Sequence, residues 1–502
     1  MRTIFSLLLL LITCSGIATG QTTKNRSTAK EWVEKSIQAM GGNSWRQLKS
    51  ISYSGIGYVQ AIEQSERPEG PYLPMPLNKS VLKDYQKNQA LVTESAAFYN
   101  TGNRTSYVID NGYSAIRMRN GRLFPWEQDH IVEDDQNITP EIILYTALNA
   151  NNLTYIKDTL IQQVANVILG FHLNNKYPTR LFINKETDFL TGIEIIKPYS
   201  SGFLNIWGDT KKLTLYSFWN ILDKENKLHY PLQADTYVNG WYLSSFVINK
   251  WTLNAPVGGD SLHISDSLKL VLSKQGKEKY APYEKGLKEG AKEIAPGVWY
   301  LPGPCNSTVV EQIDGLIVLD AGSSSHYGSL LLEKINQIFP GKKIKAIAST
   351  SDAWLHIGGV RTFAALPNIT IYHPKRNTWI LNRLLNAQYT TEPDVLAKTK
   401  TKSYKMQAIE DTLAIGSGSN KIILYTFKTE SGERMMMAYF PNHQLLYASD
   451  LFQPKGRDGQ YWQPHYSWEV YQAIKKRNIP VKNFYGMHTE LLPISYLESD
   501  FK

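Results

Sequence analysis

Cysteine is almost absent from this chain: Cys14 and Cys305 are the only two in 502 residues. Cys14 falls in a leader described below, so Cys305 stands alone and no intrachain disulfide can staple the mature fold, even in an oxidising compartment. A lone thiol with no defined base beside it reads as a small packed residue rather than a nucleophile. Long apolar runs are missing too: beyond residue 20 nothing approaches the roughly twenty residues that span a bilayer. Strong charge of one sign is also lacking. The formal net charge is +9, and the densest basic stretch, Lys274 to Lys292, is interleaved with Glu278, Glu284 and Glu289, which describes a solvated face and not a nucleic-acid patch. No repeat of fixed period occurs, and no Gly-x-Ser-x-Gly elbow marks a serine hydrolase.

Arg2, an apolar run from Ile4 to Ile12 and the small residues Ala18-Thr-Gly20 read as a signal peptide over 1–20, cut before Gln21. The expected destination is the periplasm or the extracellular space. Leu11-Ile-Thr-Cys14 has the outline of a lipidation box, but Thr13 is a poor residue before the cysteine, which argues against an anchor at Cys14. The remaining length exceeds one ordinary core, so two domains are expected. Residues 21–268 form the first. Ala29 to Met40 has helical spacing and stops at Gly41-Gly42, after which short alternating, Tyr- and Trp-rich runs are separated by Asp110-Asn-Gly112 and Asn239-Gly240. Thr179 to Ile183 and Gly192 to Ile196 are clear strands of an antiparallel sheet. Pro140 to Asn149 reads as a second helix, and over Tyr155 to Val167 helix and strand readings compete. A polar stretch at 269–293, broken by Gly276, Pro282, Gly286 and Gly290, reads as a linker. Residues 294–502 return to strands and helices, with Gly315 to Leu319 and Ile344 to Ala348 the sharpest strands. The fold class is therefore α+β.

A helix laid across a long antiparallel sheet resembles the half-barrel of lipoprotein-carrier-like domains, which implies a concave face able to hold acyl chains. The second domain resembles the metallo-β-lactamase fold, an αββα sandwich, over several blocks in order: Gly315-Leu-Ile-Val-Leu-Asp-Ala-Gly322, Ser349-Thr-Ser-Asp-Ala-Trp-Leu-His-Ile-Gly-Gly359, Leu445-Leu-Tyr-Ala-Ser-Asp450 and Phe484-Tyr-Gly-Met-His488. In that family the second block reads Thr-His-x-His-x-Asp-His-x-Gly-Gly and supplies most ligands of two zinc ions. The resemblance implies that Asp320 braces the loop, that Asp450 is the bridging carboxylate and that His488 is the last ligand.

Most of the expected donors are replaced. The first His becomes Ser351, the second Ala353, the Asp becomes Leu355, and the remaining His of the three-His site falls on Ser431. One metal site is thereby removed. The other keeps His356, Asp450 and His488, enough in principle for a single divalent ion (zinc, iron or manganese) with room for a water. The cofactor expected is thus either none or one such metal, with Asp450 the candidate catalytic residue. His465 lies where the family has a cleft-lining loop, and His373 where it has a surface segment. Three functions follow as expectations: a degenerate hydrolase homologue that acts by binding, a mononuclear hydrolase of an ester, phosphoester or amide, or a lipid or lipoprotein carrier working through the first domain. The partner expected is a small molecule or lipid, not nucleic acid.

Overall fold

The structure, a computed structural model, describes residues 28–61, 72–98, 101–125, 136, 138–198, 207–277, 290–303, 305–427, 434–452, 455, 459, 461 and 464–501. The leader at 1–20, the middle of the stretch read as linker and Ser431 lie outside the described residues. The chain divides into two compact units, the boundary falling between Lys274 and Gln275, with Ala61–Leu73 and Pro198–Asp209 grouped with the second. Both units mix helix and sheet. Among the described residues no helix is long and apolar enough to cross a membrane.

In the first unit residues 28–39 form a helix that ends at Gly41 and Gly42, both at positive φ. Among the described residues thirteen strands then build one sheet. The first six stand in reverse chain order on one side and the last seven on the other, so that Ser50–Ala61 meets Trp241–Leu253 in the middle. The Asn-Gly pairs make the tight hairpins their φ values suit: Asn111 and Gly112 (51° and 82°) between Asp110 and Tyr113, and Asn239 and Gly240 (49° and 88°) between Val238 and Trp241. The expected pair of strands extends to Tyr177–Asn184 against Leu190–Pro198. Pro140–Asn149 is helical, whereas the ambiguous stretch after it is all strand, Thr154–Ile161 turning into Val164–Leu173.

Both helices bury their apolar sides against one face of the sheet. Val33 and Ile37 from the first, Ile143 and Leu144 from the second, and Leu169 and Ile183 from the strands share one cluster. Each such side chain contributes about 1.5–3 kcal/mol relative to exposure.

The stretch read as linker begins as a helix, Asp266–Lys277, and this corrects the reading for its first nine residues. Leu268 and Leu272, one helical turn apart, pack on a small cluster of Val108, Ala115, Leu262 and Ile264. Asp110, 1% exposed, pins the segment: it accepts from Lys269 Nζ at 2.8 Å, from the Ile264 N–H at 2.9 Å and from Gln89 at 3.1 Å. Burial alone would raise its carboxyl, but these donors outweigh burial and hold its pKa at about 2, against an ordinary 3.8. A depressed carboxylate stabilises the fold fully above its unfolded value and ceases to as pH falls through its folded value. Thermal melting between pH 5 and pH 2 is therefore expected to show about 2 kcal/mol of stability lost by the native first unit across that acid window. Asp110→Asn is expected to start lower at pH 5 and to lose correspondingly less.

Among the described residues the second unit has two sheets. The first runs in chain order through seven strands, from Lys292–Ala295 to Lys405–Ile409; its first four strands are antiparallel, and Gly315–Leu319, Ile344–Ala348, Thr370–Pro374 and Lys405–Ile409 are parallel. The helix Ser325–Ile338 supplies the crossover that the first parallel pair needs. The second sheet runs from Thr412–Ile415 to Thr489–Pro493, with one parallel pair, Leu445–Tyr447 beside Asn483–Gly486, bridged by the helix Pro464–Lys476. Val298, Ile317 and Ala346 of one sheet and Leu424, Met436 and Tyr447 of the other belong to one buried core. Val470, Ile474 and Leu497 cover the other face of the second sheet, against Phe484.

Candidate functional site

Parallel pairing of Gly315–Leu319 with Ile344–Ala348 releases both chains at the same end of the sheet, where α/β proteins place their chemistry. Asp320 follows the first strand and Ser349 to Ser351 the second. Asp320 adopts φ 59°, and Ser449, just after Leu445–Tyr447, adopts φ 56°. Left-handed conformations away from glycine cost energy and persist where surrounding bonds over-determine them. Here the bonds converge on Asp320, which is fully buried. It accepts from the Thr350 N–H at 2.7 Å, the Thr350 hydroxyl at 2.6 Å, the Tyr447 hydroxyl at 2.5 Å and His356 Nδ1 at 2.9 Å. The Ser449 hydroxyl completes the network by donating to Thr350 Oγ1 at 2.7 Å. The Gly358-Gly359 pair permits this closeness, because a Cβ on either would stand 2.0 or 2.1 Å from the carbonyl of Ser323 or Ala321.

The substituted positions have local structural tasks. Ser351 is fully buried and its hydroxyl accepts from the Ala353 N–H at 3.1 Å; Ala353, 1% exposed, sits before the short helix Trp354–Ile357. Leu355 is half-buried on that helix. Asp352, between them, is 1% exposed and carries the loop's ion pair: Arg434 Nε donates to it at 2.7 Å and the Arg434 N–H at 3.3 Å. Burial pushes the Asp352 carboxyl above its ordinary range against the pull of Arg434.

His356 is fully buried, and its Nε2 has no hydrogen-bond partner. Burial disfavours its charged form, but Asp320, then Asp450 and Asp352, hold the imidazole above the usual histidine range. An imidazole with Nδ1 on a carboxylate and Nε2 open has the stance of a metal ligand. The other two candidates pair with each other, His488 Nε2 lying 3.4 Å from Asp450 Oδ1, with Asp450 buried and His488 about a quarter exposed. Among the described residues no group of three or more His, Cys, Asp or Glu side chains is placed to hold a metal ion. His465, read as cleft-lining, is half-exposed on the first turn of Pro464–Lys476, beside Glu469 at 3.6 Å and stacked on Trp468. His373 is not on the surface as the resemblance implied. It is 1% exposed on the strand Thr370–Pro374, its Nδ1 donating to the Pro374 carbonyl at 2.8 Å.

Arg434, Tyr447 and Ser449 were missed by sequence reasoning. The one available signal was the Leu-Leu-Tyr-Ala-Ser-Asp block, whose interest had been placed on its last residue alone.

The first unit holds a second candidate site, a cavity of about 400 Å³ against the sheet. Register orders its wall. Val59, Ser244, Thr236 and Thr214 form one row across four strands, and Phe246 and Ala234 are paired in the next. Deeper in, Tyr53, Tyr230 and Ile248 join the wall to the core cluster. Gln136, Ile138, Thr139 and Pro140, leading into the second helix, also line it. Beside them Lys83 and Glu141 form a buried ion pair at 3.3 Å, joined by the hydroxyls of Tyr85 and Thr139.

No family model matches the chain, and no curated protein matches it. Among solved structures, the stereoselective inverting sec-alkylsulfatase Pisa1 from Pseudomonas sp. is similar at 13% identity over 42% of this chain, with a TM-score of 0.31; the match spans 40% of the sulfatase's length. The metallo-β-lactamase FIM-1 from Pseudomonas aeruginosa, in its mono-zinc form, is similar at 14% identity over 42% of this chain and 91% of its own, with a TM-score of 0.31.

Proposed function

We propose that this is an exported protein whose carboxy-terminal unit is a metallo-β-lactamase-like αββα sandwich with a degenerate metal site, acting by binding and not by dinuclear hydrolysis. One observation carries the reading. The loop's side chains are engaged in holding it together: Ser351 in a turn and His356 with the Asp320 hub, while the spacer residue Asp352 pairs with Arg434 and Asp450 pairs with His488. A tight exported site needs three or four donors converging on one point. Metal analysis of the mature protein from zinc-, iron- and manganese-supplemented cultures tests this, with His356→Ala and His488→Ala alongside. Metal well below one equivalent in all three proteins is expected. Near-stoichiometric metal in the parent, lost in both variants, would overturn the reading in favour of the mononuclear hydrolase with Asp450 at its centre.

A second reading is favoured by a separate observation, the cavity of the amino-terminal unit. Its volume lies in the range of small-ligand sites, and its wall joins aliphatic and aromatic side chains to polar ones that include Lys79, Glu94 and Lys212, as suits a molecule with an apolar body and a polar end. On this reading the sheet and its two helices form a half-barrel-like carrier for a lipid or similar small molecule.

A further inference from the structure

One polar group on the cavity wall bears on what the cavity holds. Gln136 lines the cavity and is 5% exposed, and its amide oxygen Oε1 is buried without a hydrogen-bond donor. Glu141, 7% exposed, concentrates its donors on one oxygen: Lys83, Tyr85 and Thr139 all reach Oε1, while Oε2 is buried with none. Thr139, which bonds Glu141, is itself part of the cavity wall. The segment is not loosely placed, since Lys83 Nζ also donates to the Gln136 carbonyl at 3.0 Å. A buried acceptor left without a donor costs about 1–3 kcal/mol, so Gln136 Oε1 on the cavity wall marks a missing partner. That partner must donate.

We infer that the cavity takes an amphiphile whose polar end carries N–H or O–H donors, met by Gln136 Oε1, while its apolar body lies against Phe246, Ala234 and Ile248. The inference rests on the carrier reading of the amino-terminal unit and adds the chemistry of the polar end.

The test uses the full mature chain and two neutral probes with the same apolar tail, decanamide and N,N-dimethyldecanamide, which differ in having or lacking N–H donors. Calorimetric titration is expected to give decanamide at least about tenfold tighter binding. Gln136→Met should reduce that preference several-fold, and a circular-dichroism spectrum and melting curve matching the parent's show that the variant folds. Ala234→Trp, which fills the cavity, should abolish binding of both probes. Equal affinity of the two probes, or a preference that survives Gln136→Met in full, overturns the donor inference and leaves the carrier reading standing. Failure of every probe to bind, or binding that persists in Ala234→Trp, overturns the carrier reading itself.

Discussion

Replacing Arg361 with alanine is expected to cost the carboxy-terminal unit about 3–5 kcal/mol, the range for breaking a buried ion pair from one side. Arg361 is 1% exposed and meets Asp394 with two bonds, Nε to Oδ2 at 2.6 Å and Nη2 to Oδ1 at 2.9 Å. Its remaining donor nitrogen reaches the carbonyls of Leu384 and Leu385, the last turn of the helix Thr378–Asn386, and the ring of Tyr389 lies 4.4 Å away. Asp394 in turn accepts from the Ala397 N–H at 2.8 Å, capping the helix Val395–Lys398, and from Ser325 at 3.1 Å. Burial would raise the Asp394 carboxyl, yet the guanidinium holds it below the ordinary range. Removing the arginine thus leaves a buried carboxylate and several carbonyls without donors. Urea unfolding of the full chain, followed in the transition of the carboxy-terminal unit, reads the loss. The double variant Arg361→Met with Asp394→Leu is expected to recover much of it, because no buried charge is then left alone. A double variant as unstable as the sum of the two singles would show that the pair is not coupled.

Asp320→Ala is expected to cost on the order of 4 kcal/mol, since a single truncation leaves four donors without their acceptor in a site closed to water. The sharper readout is local. The Thr350 N–H, bonded to Asp320 at 2.7 Å, should exchange with solvent far faster in the variant, whereas the strands Ile422–Thr426 and Met436–Phe440 keep their protection at any stability that leaves the unit folded. Unchanged exchange at Thr350 would mean that the loop is held by packing alone.

Strands such as Gly315–Leu319 and Ile344–Ala348 were legible to the residue because apolar runs there are bounded by Gly, Asp or Ser. The stretch after Asn149 was less so. Its hairpin turns through Gln162 and Gln163 at φ 49° and 68°, positions for which Asn and Gly are the usual signals, so no punctuation separated the two strands. The helix Asp266–Lys277 was hidden for the opposite reason, since its polar composition resembles a linker and only Leu268 and Leu272 touch a core. At the candidate site the substitutions at Ser351, Ala353 and Leu355 could be read directly from the loop. The Asp352–Arg434 pair could not, because its partners lie 82 positions apart and neither periodicity nor motif links them. The orphaned oxygens at Gln136 and Glu141 were likewise invisible: a missing hydrogen bond leaves no mark in a sequence.

In the amino-terminal sheet, Ile51 pairs with Leu253. A chain emerging from its N-terminus therefore makes its early hairpins long before the strand that joins the two halves exists. Loop closure between partners so distant is slow compared with local hairpin formation. Until Trp241–Leu253 arrives, Ser50–Ala61 is an open edge, and open edges invite pairing with other chains. Synthesis beyond residue 253 thus becomes the event that closes the sheet of this unit.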